Sequence, residues 1–424
     1  MIDRTLAPAF KQVENIDLVQ AEAYSLDNGV DLFVINAGTQ DLVRIELVFN
    51  NVSWNVHKPL QAYAVNSMLV EGTSKLKALE IAEKVDYYGA FLQTDYNYDY
   101  STVTLYTLTK HLESTLPVIK EIITDSVFPQ EELETFKRNQ KQKLSVNLEK
   151  NDFVSRKLFN QALFGNSIYG YSAEAEDYDK LDRRQLVDYF ANAYRPGNCT
   201  IIASGKVDEN IISTINEYFG KGWGKGSTTE KNVFSFPIRK GAEHYTEKDG
   251  ALQSAIRIGK ILVNRNHPDF AALQVLNTVL GGYFGSRLMA NIREDKGYTY
   301  GIGSALVSLQ NAGYFFIASE VGADVCTSAV NEIEKEVKRL QTELVPEEEL
   351  ALVKNYMLGS FLGDLENAFS HADKFKNIYF SGLDYDYYDQ YIQTVKTITS
   401  QKLLELAKFY LDFDSFEKVI VGKK

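Results

Sequence analysis

Apolar and polar positions alternate along several stretches of this chain, and the alternation predicts strands. In the first part they are residues 31–36 (Asp31-Leu32-Phe33-Val34-Ile35-Asn36), 42–49 and 101–108. In the second part they are 300–309 and 314–319, joined by Gln310-Asn311-Ala312-Gly313, a plausible hairpin turn. Between the strands the apolar spacing turns helical, over 78–88, 114–123, 328–342 and 346–362. Pro117 is compatible with the second of these helices if it falls in the first turn. Glu334 and Lys338 lie one helical step apart, on a face expected to meet solvent. Runs of strands with segregated helices predict an α+β fold, with helices packed on largely antiparallel sheets.

The pattern occurs twice. Phe128-Pro129-Gln130-Glu131-Glu132-Leu133 returns as Val345-Pro346-Glu347-Glu348-Glu349-Leu350, an offset of 217 residues. Both read as helix starts, with Pro in the first turn and acids where the helix dipole favours negative charge. The strand ending at Gly205-Lys206 returns at the same offset as the one ending at Gly422-Lys423. Val65-Asn66-Ser67-Met68-Leu69 returns as Leu276-Asn277-Thr278-Val279-Leu280 at an offset of 211. Three landmarks in one order predict a duplicated domain. The Gly/Ser/Thr-rich run from Gly220 to Thr229 marks the junction. The expected division is 1–220, a linker at 221–234, and 235–424.

Composition narrows the function classes. The 424 residues carry a formal charge of −12, which argues against a nucleic-acid partner. No apolar run is long enough to span a membrane, and the first residues do not lead into the apolar core of a signal peptide. A cytoplasmic location is expected, or a periplasmic one if a leader has been removed. Cys199 and Cys326 support neither a disulfide framework nor a Cys-rich metal site. The five histidines stand far apart. His111, His267 and His371 each have a carboxylate two residues on (Glu113, Asp269, Asp373), a spacing that does not make a dyad on a helix. Tyrosine clusters at 95–100 and 385–388 suit either peptide contact or ordinary packing.

The run from Leu280 to Gly301 carries the most information. It reads Leu280-Gly281-Gly282-Tyr283, then Ser286-Arg287-Leu288, then Arg293-Glu294-Asp295-Lys296-Gly297-Tyr298-Thr299-Tyr300. It resembles the second half of the insulinase-like (pitrilysin) metallopeptidases, which include mitochondrial processing peptidase. That family shows Leu-Gly-Gly-Gly, Ser-Arg-Leu and Arg-Glu-x-x-Gly-x-x-Tyr; here Tyr283 replaces the third glycine. Gly72-Thr73 with the helix after it, and Tyr194-Arg195-Pro196-Gly197-Asn198 leading into a strand, are similar to further landmarks, so the resemblance covers nearly the whole chain.

The resemblance implies a zinc site that this chain lacks. Active members carry His-x-x-Glu-His shortly before Gly-Thr. Counting back from Gly72-Thr73, those places hold Tyr63, Asn66 and Ser67, and the third ligand position falls at or near Lys143. A catalytic zinc needs three protein ligands, an open water position and a base. The chain is therefore expected to hold no metal and not to be catalytic alone. Arg293 and Tyr300 match the family's Arg/Tyr pair, which engages substrate across from the zinc. The resemblance implies the substrate-binding subunit of a two-chain zinc peptidase, closing with a zinc-bearing partner around an unfolded peptide. The alternatives are a structural subunit like the core proteins of the respiratory complex, with Arg293 and Tyr300 simply packing, and a peptide-binding homodimer without catalysis.

Overall fold

The computed structural model describes residues 16–224, 226, 232–236 and 240–424. The first half runs β1 (Glu22–Ser25), β2 (Asp31–Asn36), β3 (Leu42–Asn50), α1 (Gln61–Met68), α2 (Ala78–Tyr87), β4 (Phe91–Tyr96) and β5 (Tyr100–Leu108). It continues with α3 (Leu112–Asp125), α4 (Gln130–Leu148), α5 (Asn151–Phe164), α6 (Ala175–Asp179), α7 (Arg183–Ala193), β6 (Cys199–Gly205) and α8 (Glu209–Ile215). The second half runs β7 (Glu243–Glu247), β8 (Gln253–Leu262), α9 (Phe270–Asn277), β9 (Ile302–Ser308) and β10 (Gly313–Gly322). It ends with α10 (Cys326–Thr342), α11 (Glu347–Gly363), α12 (Ala368–Tyr379), α13 (Asp386–Thr397), α14 (Ser400–Tyr410) and β11 (Glu417–Gly422).

These elements form two mixed sheets packed with helices, and the sheets repeat one plan. The first has the order β1-β2-β6-β3-β5-β4 and the second β7-β11-β8-β10-β9. Without β1 the two orders coincide, strand for strand. In both, the strand at the edge of this shared order pairs in parallel with its neighbour (β2 with β6, β7 with β11) and the rest pair antiparallel. Gly205 and Gly422 end matching strands with φ of 115° and 133°, and a Cβ at Gly205 would lie 2.2 Å from the Leu42 carbonyl oxygen. Among the described residues no helix is long and apolar enough to cross a membrane.

One helix from each half covers the other half's sheet. The apolar side of α5, with Phe159, Leu163 and Phe164, packs with Val419 and Val421 of the second sheet. Its counterpart α12 packs Ala372 and Phe375 against Ile35, Val48 and Ile202 of the first. Ion pairs fasten both crossings: Arg257–Asp152 at 3.0 Å on one, Arg44–Asp373 at 2.9 Å and Lys376–Glu46 at 2.7 Å on the other. Segment 16–21 adds a strap. Val19 N–H donates to His371 Nδ1 at 3.3 Å and Ala21 N–H to the Tyr385 hydroxyl at 2.9 Å.

Three local expectations need adjusting. Pro129 and Pro346 sit at the N-cap positions with extended ψ, so α4 and α11 begin one residue later. Pro117 lies in the second turn of α3, because the helix starts at Leu112. The carbonyl its missing N–H leaves free is that of Glu113, which accepts from the Tyr218 hydroxyl at 3.4 Å. The strand expected at 300–309 begins at Ile302, not Tyr300, since pairing with β10 starts at Ile302 opposite Ser319. Of the expected linker, residues 225 and 227–231 lie outside the described residues. Asn216–Lys221 forms a wide helical turn, and the Asn232 amide oxygen accepts from Trp54 N–H at 3.1 Å.

Candidate functional site

Helix α1 carries Tyr63, Asn66 and Ser67 beneath the first sheet. Tyr63 is half-buried; its ring meets Tyr96 and Phe136 at 5.6 and 5.9 Å, and its hydroxyl donates to Gln140 Oε1 at 3.0 Å. Burial pushes the phenol pKa up, with the Ser67 hydroxyl one turn away partly offsetting it. Asn66 is buried, and its amide oxygen accepts from the Tyr194 hydroxyl at 2.9 Å. Helix α4 thus meets Tyr63 through Phe136 and Gln140, while Lys143, one turn beyond Gln140, is exposed. A neutral phenol, an amide already engaged by Tyr194, a hydroxyl and a solvated ammonium do not fit a zinc ion. Among the described residues no group of three His, Cys, Asp or Glu side chains is placed to hold a metal.

None of His111, His267 and His371 hydrogen-bonds the carboxylate side chain two residues on. His267 Nδ1 accepts from the Asp269 backbone N–H at 3.1 Å, and His111 lies against the Tyr88 ring. Asp373 turns away from His371 to Arg44. The pair that does form, His244 with Glu417 at 2.8 Å, joins neighbouring strands β7 and β11; its partners lie 173 residues apart and no sequence spacing announces it.

Arg293 and Tyr300 belong to the second half, on the segment between α9 and β9. Gly281 starts it by close approach: a Cβ there would lie 2.7 Å from the Ser304 backbone nitrogen. Tyr283, in the place of a third glycine, packs its ring on Tyr356 at 4.8 Å. Arg287 donates two hydrogen bonds of 2.8 Å to Glu349, tying the segment to α11. The wide helical turn Met289–Asp295 ends at Gly297, whose φ of +67° lets the chain reverse. Thr299 then pins the backbone: its hydroxyl lies 2.6 Å from the Glu320 carbonyl, and Ser319 donates to it at 3.1 Å.

On this frame the two side chains share one open cleft of about 560 Å³, with Gln253, Glu294, Tyr298 and Gly322. The Arg293 guanidinium stacks on the Phe284 ring at 4.6 Å, itself exposed, and lies 3.7 Å from Glu294. Tyr300 is 94% exposed. A fixed backbone thus presents a phenol and a guanidinium to solvent, both able to donate hydrogen bonds to carbonyl oxygens.

Residues 60–173 match the family profile described as insulinase (peptidase family M16), and residues 180–357 match the peptidase M16 inactive domain. A curated relative, the uncharacterized zinc protease YmxG of Bacillus subtilis, is 27% identical over 361 residues, 83% of this chain and 86% of that protein. The crystal structure of a peptidase M16 inactive domain from Pseudomonas fluorescens is 21% identical, with a TM-score of 0.85 over 95% of this chain and 98% of that one. The periplasmic protease PqqL of Escherichia coli is 15% identical with a TM-score of 0.78, over 99% of this chain but 48% of that one. The chain belongs to the insulinase-like peptidase family M16 and lacks the family's zinc-binding motif.

Proposed function

We propose that this chain is the non-zinc, substrate-binding subunit of a two-chain zinc endopeptidase acting on unfolded peptides. The observation that carries the reading is the presentation of Tyr300. An aromatic side chain held almost wholly in water on a pinned backbone does nothing for this chain's own core. Beside Arg293 it has the donors to meet the oxygen of a peptide carbonyl as it gains charge. The zinc comes from a partner chain of the same family that carries the intact motif, because Tyr63, Asn66, Ser67 and Lys143 offer no equivalent. The match of this chain to about half of a protease chain supports a pairing of two such units in one enzyme. Residues 1–220 and 235–424 are read as its two homologous domains.

The test is steady-state hydrolysis of an unfolded peptide by the chain mixed with a member of the same family that carries the intact zinc motif. Tyr300→Phe should lower kcat by about 10²–10³ with little change in KM, the usual cost of one transition-state donor. Arg293→Ala should act more on KM, and Arg293→Lys should not rescue it fully, since an ammonium lacks the two-donor fork. If Tyr300→Phe keeps kcat within about twofold, well short of that range, the pair does not serve catalysis and a structural or purely peptide-binding role takes its place.

A further inference from the structure

Three elements stop short of the far end of β8. β11 begins at Glu417, opposite Gly259, while β8 runs on to Leu262 with β10 as its only ladder partner there. α5 ends at Phe164 and α14 at Tyr410. β8 is buried from Ser254 to Gly259 and half-buried from Lys260 on. The space left is a cleft of about 420 Å³, within the range of small-molecule sites, and it shares no residue with the cleft of Arg293 and Tyr300.

Its walls are mostly carbon. Leu163, Ile261, Leu262 and Val263 line it together with Phe409, whose ring is 76% exposed. One cation lies among them. The half-buried Lys260 ammonium donates to Ser415 Oγ at 3.1 Å and stands 5.6 Å from the centre of the Phe416 ring. Among the described residues no carboxylate closes on it as an ion pair. The attraction of Asp412 does not offset burial, and the Lys260 pKa is lowered. The acid of the cleft, Glu417, is engaged elsewhere: it lies 2.8 Å from His244 Nε2 and accepts from Ala242 N–H at 3.3 Å. An ammonium held partly out of water without a carboxylate beside it is short of counter-charge, and an ionic hydrogen bond formed there is stronger than one formed in water. The cleft therefore suits an apolar body that carries one negative charge. Glu417 in its wall and the nearby Asp412 count against a second.

We propose that this cleft binds an aliphatic monocarboxylate, its chain on Leu163, Ile261 and Val263 and its carboxylate on Lys260. The proposal goes beyond the peptidase reading and needs no partner chain.

The test is isothermal titration of the full chain alone with hexanoate, octanoate and decanoate, and with octanol, octylamine and octyl phosphate as head-group controls. One saturable site is expected, tightening about two- to fourfold for each added methylene, the gain from burying a CH₂ in part or in full. Octanol and octylamine should bind at least about tenfold more weakly than octanoate, since neither gives Lys260 an anionic acceptor. Lys260→Met keeps the apolar stem; it should weaken octanoate by about the same tenfold or more and leave octanol unchanged. Phe409→Ala should weaken octanoate and octanol alike. Should Lys260→Met fail to fold, the head-group series on the parent chain decides without it. No saturable binding of any carboxylate up to about 10 mM, a very weak limit, or octanol binding as tightly as octanoate, would overturn the proposal. So would octyl phosphate or N-acetyl-leucyl-leucine binding more tightly than octanoate, which would give the cleft to a phosphate head or to a peptide end.

Discussion

Replacing Lys376 with Met should destabilise the chain far more than the loss of a surface ion pair. Lys376 is on α12, in the second half, and its ammonium lies 2.7 Å from Glu46 on β3, in the first. The Glu46 side chain is only 4% exposed and its other oxygen has no hydrogen-bond partner. Arg44 approaches it only to 3.8 Å and is committed to Asp373 and to the Phe369 carbonyl. Burial alone would lower the Lys376 pKa, but the attraction and hydrogen bond of Glu46 outweigh it and the pKa is raised. Without Lys376, Glu46 keeps a buried charge with a distant partner. Removing one member of a buried pair costs about 3–5 kcal/mol, and the partial exposure of Lys376 puts this case near the lower end. Urea unfolding of the full chain, followed by far-UV circular dichroism and tyrosine fluorescence, measures it. The double variant Lys376→Met/Glu46→Leu should recover much of the loss, because no charge is then stranded. A cost below about 1 kcal/mol, the value for a solvated pair, would refute the claim that this network fastens the two halves.

Other outcomes are as specific. The purified chain should retain no stoichiometric zinc by elemental analysis; about one tightly held ion per chain, as a three-ligand site would keep, would contradict the reading of Tyr63, Asn66 and Ser67. His371 must be unprotonated at Nδ1 to accept from Val19 N–H, and burial lowers its pKa. Its contribution is therefore complete above the unfolded-state value of about 6.5 and is lost as pH falls through the lower folded value. The difference in urea midpoint between the parent and His371→Leu should shrink on acidification; a difference that stays constant or grows would exclude this role. Gly281→Ala sets a Cβ against the Ser304 backbone and should cost about 1–3 kcal/mol as overpacking, read as a fall in Tm.

Much of the fold was legible from local pattern. Strand 31–36 falls where alternation placed it, and the Glu334–Lys338 pair closes as the helical spacing implied. The failures have physical causes. Tyr300 continues an apolar-polar alternation, but Thr299 and Gly301 hold it in a turn before the ladder begins. The spacing that set the third ligand position at or near Lys143 names a helix but not which of its side chains face α1; Phe136 and Gln140 contact Tyr63, and Lys143, one turn beyond Gln140, is exposed.

The crossing of α5 and α12 was illegible for a deeper reason. Helical periodicity says that Phe159 and Leu163, or Ala372 and Phe375, form an apolar side; it does not say which sheet they cover. That detail bears on the proposed function. With each sheet roofed by a helix from the other half, opening the halves would uncover apolar surface on both sheets and break the pairs at Glu46, Asp373 and Asp152. Hinge motion between domains is easy where the shared interface is small and polar, and costly where it is a core. The two halves of this chain therefore act as one body. If the chain closes on a peptide with a zinc-bearing partner, the movement that admits the substrate belongs to the junction between the two chains. Arg293 and Tyr300 then arrive at the partner's site in an arrangement fixed before closure.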